Sequence, residues 1–124
     1  MRAGKRKAFV LFLAMGVAIG AMAAEKAPGG EADKIERLIR AVEALRGAKF
    51  VRNGKEYDAK AAAAHLRSKW RWKSSSIKTA RDFIRIAASA SSETGRPYTI
   101  RLADGSEVKS ADFFAAELGR IEKP

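Results

Sequence analysis

Phe50-Val51-Arg52-Asn53-Gly54-Lys55-Glu56-Tyr57 is the stretch on which the fold turns. Two short arms carrying aromatic or β-branched residues flank Asn53-Gly54. That dipeptide most readily takes positive φ at both central positions of a two-residue hairpin turn. Asp58 follows the second arm directly and is a good N-cap. Behind it Ala59, Ala62, Leu66 and Trp70 fall along one face of a helix, which Ser74-Ser75-Ser76 breaks. A tight hairpin feeding a capped helix is therefore the expected local unit.

Towards the C-terminus, Thr79 is placed to cap a further helix with Asp82 at its third position. Ala80, Phe83, Ile84, Ala87 and Ala88 would line the buried side of that helix. Ser89 to Pro97 reads as a loop, Tyr98-Thr99-Ile100-Arg101-Leu102 alternates like a strand, and Asp104-Gly105 turns the chain towards Glu107-Val108. Ser110 is expected to cap a last helix carrying Phe113, Phe114, Leu118 and Ile121. Towards the N-terminus, Asp33 and Glu36 have capping-box spacing. Ile35, Leu38, Ile39, Val42 and Leu45 follow at helical intervals, and Gly47 is a natural stop. The fold class is α+β: one mostly helical domain over residues 33–122, with two short β-hairpins that can pair into one small antiparallel sheet. The segments from Asn53 and from Asp104 resemble each other, either through an old duplication or because hairpin-to-helix joints look alike.

The first 23 residues have another character. Arg2, Lys5, Arg6 and Lys7 form a positive start without an acid. Ala8 to Ala23 carries no charge, and Ala21-Met22-Ala23 offers the small-x-small pattern of a signal peptidase site. An apolar run of this length falls short of the roughly 20 residues needed to span a bilayer. The expectation is a cleaved signal peptide over residues 1–23, a flexible mature N-terminus over 24–32 with Pro28-Gly29-Gly30, and a periplasmic protein. Cleavage removes four positive charges and no acid, so the formal net charge falls from +11 to +7. No cysteine is present, so neither a disulfide nor a lipid-modified N-terminal cysteine is expected. The surplus charge favours acidic partners: an anionic envelope component or an acidic protein. Export argues against nucleic acid.

Beyond local patterning, Phe50 to Gly54, Ala64-His65-Leu66-Arg67-Ser68-Lys69, Thr79 to Ile84 and the run from Ala88 to Tyr98 resemble the YfeK-like family of small exported proteins of Gram-negative bacteria. The resemblance covers about residues 33–122, and the serine-rich loop ending in Gly95-Arg96-Pro97-Tyr98 is its most specific part. It implies a periplasmic location and a single domain of no assigned function. It brings no reaction, ligand or catalytic residue with it.

Three places could carry chemistry, and each has a plainer reading. His65, the one histidine, could serve as a general base with a loop serine as nucleophile and Asp58 orienting its ring; more simply, it ties its helix to a neighbouring backbone carbonyl. The loop Ser91, Ser92, Thr94, Gly95, Arg96 and Tyr98 could cradle an anion or a glycan carboxylate, or its hydroxyls could satisfy loose carbonyls. The segment from His65 to Lys78 has five cations and no acid, with Arg67, Lys69, Trp70, Arg71, Trp72 and Lys73 at its centre. It could touch an anionic membrane or lipopolysaccharide surface, or be a solvated face with Trp70 in the core and Trp72 outside. One histidine and no cysteine leave too few ligands for zinc, so neither a metal nor a cofactor is expected. The leading expectation is a binding or accessory domain of the cell envelope without catalysis. A peripheral membrane contact through residues 65–78 and a hydrolase using His65 are the alternatives.

Overall fold

A computed structural model describes residues 30–123. Helix α1 (Glu31–Glu43) leads to strands β1 (Lys49–Arg52) and β2 (Lys55–Tyr57), then helix α2 (Ala59–Trp72). Helix α3 (Ala80–Phe83) runs on through a π-helical turn, Ile84–Ala88, and strands β3 (Thr99–Arg101) and β4 (Glu107–Lys109) precede helix α4 (Ser110–Glu122). The expected signal peptide over residues 1–23, its expected cleavage site and residues 24–29 lie outside the described residues.

The two hairpins do share one sheet. Its strand order is β2-β1-β3-β4, antiparallel throughout, joined through the central pair Phe50↔Ile100 and Val51↔Thr99. Asn53 (φ 52°) and Gly54 (φ 79°) both occupy the left-handed region, as a two-residue turn with the twist of the flanking strands requires. Because side chains alternate along a strand, Phe50, Tyr57, Ile100 and Val108, matched by register, stand on one face of the sheet. The helices cover that face. Ile35, Leu38, Ile39 and Val42 of α1 meet Ala63 and Leu66 of α2, Phe83 of α3 and Phe114 and Leu118 of α4 in a single core. Phe83 sits at its centre, edge-on to both Phe114 and Trp70.

Capping follows the sequence at two of four helices. The Asp58 carboxylate accepts from the Ala61 N–H at 2.8 Å, and Thr79 and Asp82 form a complete capping box. Helix α1 differs from the expectation at Asp33. It begins at Glu31 with Gly30 as N-cap, so Glu31 and Ala32 are helical rather than part of a flexible tail, and Asp33 lies in the first turn. Tertiary contacts explain the extra residues: the Glu31 carboxylate accepts from the Ala80 N–H at 2.7 Å and pairs with Lys34. Glu36, expected to close a capping box, accepts from Arg67 of α2 at 2.6 Å instead. The helix ends at Glu43, ahead of the half-buried Leu45. Ser110 also departs from expectation. It opens α4 without capping it, and its buried hydroxyl donates to the Ala88 carbonyl at 2.8 Å. The Ser89 hydroxyl donates to the Ile84 carbonyl at 2.6 Å. These two serines take up carbonyls in and around the π turn, where the regular ladder is interrupted.

A cationic cleft between helix α2 and the sheet

Helix α2 presents His65, Lys69, Trp72 and Lys73 at i, i+4, i+7 and i+8, which puts them on one face. Opposite this face the β1–β3 register, continued one step past Val51↔Thr99, sets Tyr98 across from Arg52. The 89–97 loop closes the third side. It is held by backbone bonds from Ser91 N to Arg96 O and from Tyr98 N to Ser89 O, and by the Ala90↔Pro97 bridge. Between these walls lie two cavities that share Arg52, His65 and Tyr98. The outer one, about 560 Å³, is bordered by Lys69, Trp72, Lys73 and Glu93. The inner one, about 160 Å³, has Phe50, Ala61, Ala62, Leu66 and Phe114 in its wall.

Lys69 is the central group. Its sequence context places it among the surface cations, but only 6 % of it is exposed. Its ammonium donates to the Tyr98 hydroxyl at 3.2 Å and to the Ala90 carbonyl at 3.3 Å, and lies 5.2 Å from the Tyr98 ring. No carboxylate partners it among the described residues. Burial first, then the nearby charges of Lys73 and Arg52, bring its pKa down to about 8. Arg52 is also incompletely matched. One Nη donates to the Tyr57 hydroxyl at 3.3 Å and the other lies 3.9 Å from Glu93, while its buried Nε has no acceptor among the described residues. The His65 ring meets the Tyr98 hydroxyl at 3.5 Å. Burial and the charges of Arg52 and Lys69 hold its pKa below the ordinary value. Burial likewise pushes the Tyr98 phenol up. Neutral His65 and protonated Tyr98 thus join two cations that have one acid, Glu93, between them.

The residues singled out from sequence are distributed unevenly around this site. Tyr98 is in it and Ser92 borders it. Ser91 is 4 % exposed and its hydroxyl is already engaged, accepting from the Asn53 side chain at 3.1 Å and from the Glu93 N–H at 3.2 Å. Thr94 donates to the Asn53 side-chain oxygen at 2.6 Å and accepts from the Arg96 N–H. These two hydroxyls fasten the loop to the first hairpin rather than face a ligand. Gly95 takes positive φ in that turn, and Arg96 is exposed. In the basic segment, Arg67 pairs with Glu36 and Glu43, Trp70 packs against Phe83, and Arg71 and Trp72 are exposed, Trp72 by 80 %. Lys73 lies 5.6 Å over the Trp72 ring. The continuous +5 surface read from the sequence is therefore interrupted at Arg67 and Lys69. Of the residues considered for a hydrolase, Asp58 caps its helix and the His65 ring meets Tyr98, while Ser92 lines the same outer cavity as His65. Among the described residues no group of three or more His, Asp or Glu could hold a metal ion.

Arg52 and Asn53 escaped the sequence reading of the site, because their role depends on pairing with residues some 40 positions away. The period of His65, Lys69, Trp72 and Lys73 was available and is the signal that could have found this wall.

A small α+β domain of four helices around one four-stranded sheet, with a cationic cleft at the end of α2, is the class this architecture defines. Residues 30–122 match the model of a family of unknown function, DUF5329, and the chain belongs to that family. It is 38 % identical over 68 residues to "Uncharacterized protein YfeK" of Salmonella typhimurium (strain LT2). That match covers 55 % of this chain and 57 % of the relative. No solved structure matches.

Proposed function

We propose that the protein is an exported, non-catalytic binding domain of the bacterial cell envelope, and that the cleft between α2 and the sheet is its ligand site, accepting a small anion. The supporting observation is the buried ammonium of Lys69, which among the described residues has no carboxylate partner and stands beside an Arg52 whose Nε has no acceptor there. A buried charge costs several kcal/mol unless paired. An unpaired lysine in a cleft, next to further perturbed groups, is characteristic of a site whose counter-charge arrives with the ligand. Export rests on the charged start, the uncharged stretch and the Ala21-Met22-Ala23 pattern.

NMR titration of the purified protein with acetate and with inorganic phosphate tests this. The expected result is saturable shifts of the backbone signals of Lys69, Ala90 and Tyr98, lost in Lys69→Met. Shifts spread evenly over the surface, or unchanged in the variant, contradict the reading.

The 80 % exposure of Trp72 beside Arg71 and Lys73 favours a second reading, contact with an anionic lipid or lipopolysaccharide surface. Its distinguishing result is binding to vesicles rich in anionic lipid that fades with added salt and with Trp72→Ala, but persists in Lys69→Met.

A further inference from the structure

We infer that the anion is a carboxylate carried on a single aromatic ring or an equally short apolar group, with that group seated in the inner cavity. This inference rests on the anion-binding reading above and adds the class of ligand. The two cavities are continuous in their walls: Arg52, His65 and Tyr98 belong to both. A ligand whose charged end meets Arg52 beside Lys69 can seat its other end in the inner cavity, which Arg52 also lines. There the lining becomes Phe50, Ala61, Ala62, Leu66 and Phe114. Arg52 is the one charged residue of that lining, and the rest of the wall rewards burial of apolar surface.

Size sets the rest. The inner cavity is about 160 Å³, and an apolar protein cavity of roughly 150 Å³ is known to take up benzene. One ring fits; a long acyl chain does not. Charge argues for a monoanion. Glu93 already lies 3.9 Å from Arg52, and Lys73 sits over the exposed Trp72 ring at the rim, so among the described residues Lys69 is the buried cation of the cleft that lacks an acid. A carboxylate supplies that one charge, and its second oxygen can accept from the Arg52 Nε or from the Tyr98 hydroxyl once that hydroxyl turns its proton outward.

The test compares three probes by NMR titration of the protein purified as the producing cell accumulates it: phenylacetate, acetate and benzyl alcohol. Phenylacetate should bind at least about tenfold more tightly than either of the others, since each of them lacks one of its two anchoring groups. Ala61 is exposed and borders the inner cavity, so Ala61→Phe can obstruct that cavity without disturbing the core. It should bring phenylacetate down to the affinity of acetate while acetate itself is unchanged. Phenylacetate binding no better than acetate overturns the inference and leaves the anion site standing. Benzyl alcohol binding as tightly as phenylacetate also overturns it. If neither carboxylate perturbs Lys69 and Tyr98, the anion-binding reading itself falls.

Discussion

The Lys69 ammonium lies 3.2 Å from the Tyr98 hydroxyl, and this contact joins the last turn of α2 to the first residue after the 89–97 loop. It connects two stretches that local sequence signals treat separately, a basic helix and a serine-rich loop. It also stands where the fold has least to gain from a charge, because the ammonium gives up water for one phenol and one carbonyl.

That cost appears as a pH dependence. The Lys69 amine titrates at about 8 in the folded protein against an ordinary 10.5. Between these values the unfolded chain binds a proton that the folded chain does not, so stability rises with pH across this interval. The raised Tyr98 phenol works in the opposite direction only above its ordinary value of 10. Urea unfolding at pH 7.5 and 9.5 should give the higher midpoint at pH 9.5, and Lys69→Met should abolish the difference. A carboxylate ligand needs the ammonium form, so its affinity should fall over the same range in which stability climbs.

At the first hairpin, Gly54→Val should destabilise by about 1–2 kcal/mol. A Cβ at Gly54 meets nothing within 4 Å, so the loss is that of forcing a β-branched residue to positive φ. A melting temperature equal to that of the parent would show that the turn tolerates another conformation.

Neighbouring tryptophans should behave in opposite ways. Trp70→Ala removes the ring packed edge-on to Phe83 and should cost about 2 kcal/mol or more. Trp72→Ala removes an exposed ring and should leave the unfolding free energy within about 0.5 kcal/mol of the parent's. Equal losses from the two substitutions would contradict this division.

Export has a direct chemical readout. Mass spectrometry of the accumulated protein should find Ala24 or Glu25 at its N-terminus. An intact Met1 terminus in the membrane fraction would count against cleavage after Ala23.

Much of the fold was legible because its signals are local. Asn53-Gly54 sets its own turn, Asp58 and Thr79 each cap the helix that follows them, and apolar spacing marks the core faces of α1 and α4. Where local rules failed, a distant partner had intervened. Ala80 holds Glu31 and lengthens α1, Arg67 takes Glu36 from its expected cap, and Ala88 draws in the Ser110 hydroxyl. The candidate site was less legible for the same reason. Counted along the chain, Lys69 is one of five cations and Ser91 one of several loop hydroxyls. Only the folded arrangement turns Lys69 inward to Tyr98 and joins Ser91 and Thr94 to Asn53. Composition does not distinguish a cation that faces water from one that lacks a counter-charge.

Whether the buried ammonium of Lys69 awaits an anion is decided by Lys69→Met, followed by both unfolding and ligand titration. Methionine keeps much of the length and volume of the lysine stem without its charge. The variant should be folded and about 1–2 kcal/mol more stable than the parent at pH 7, with the phenylacetate response of Tyr98 and Ala90 gone. A variant that is less stable, or that still binds phenylacetate with the parent's affinity, would show that Lys69 is a structural group and that the cleft does not depend on it for an anion.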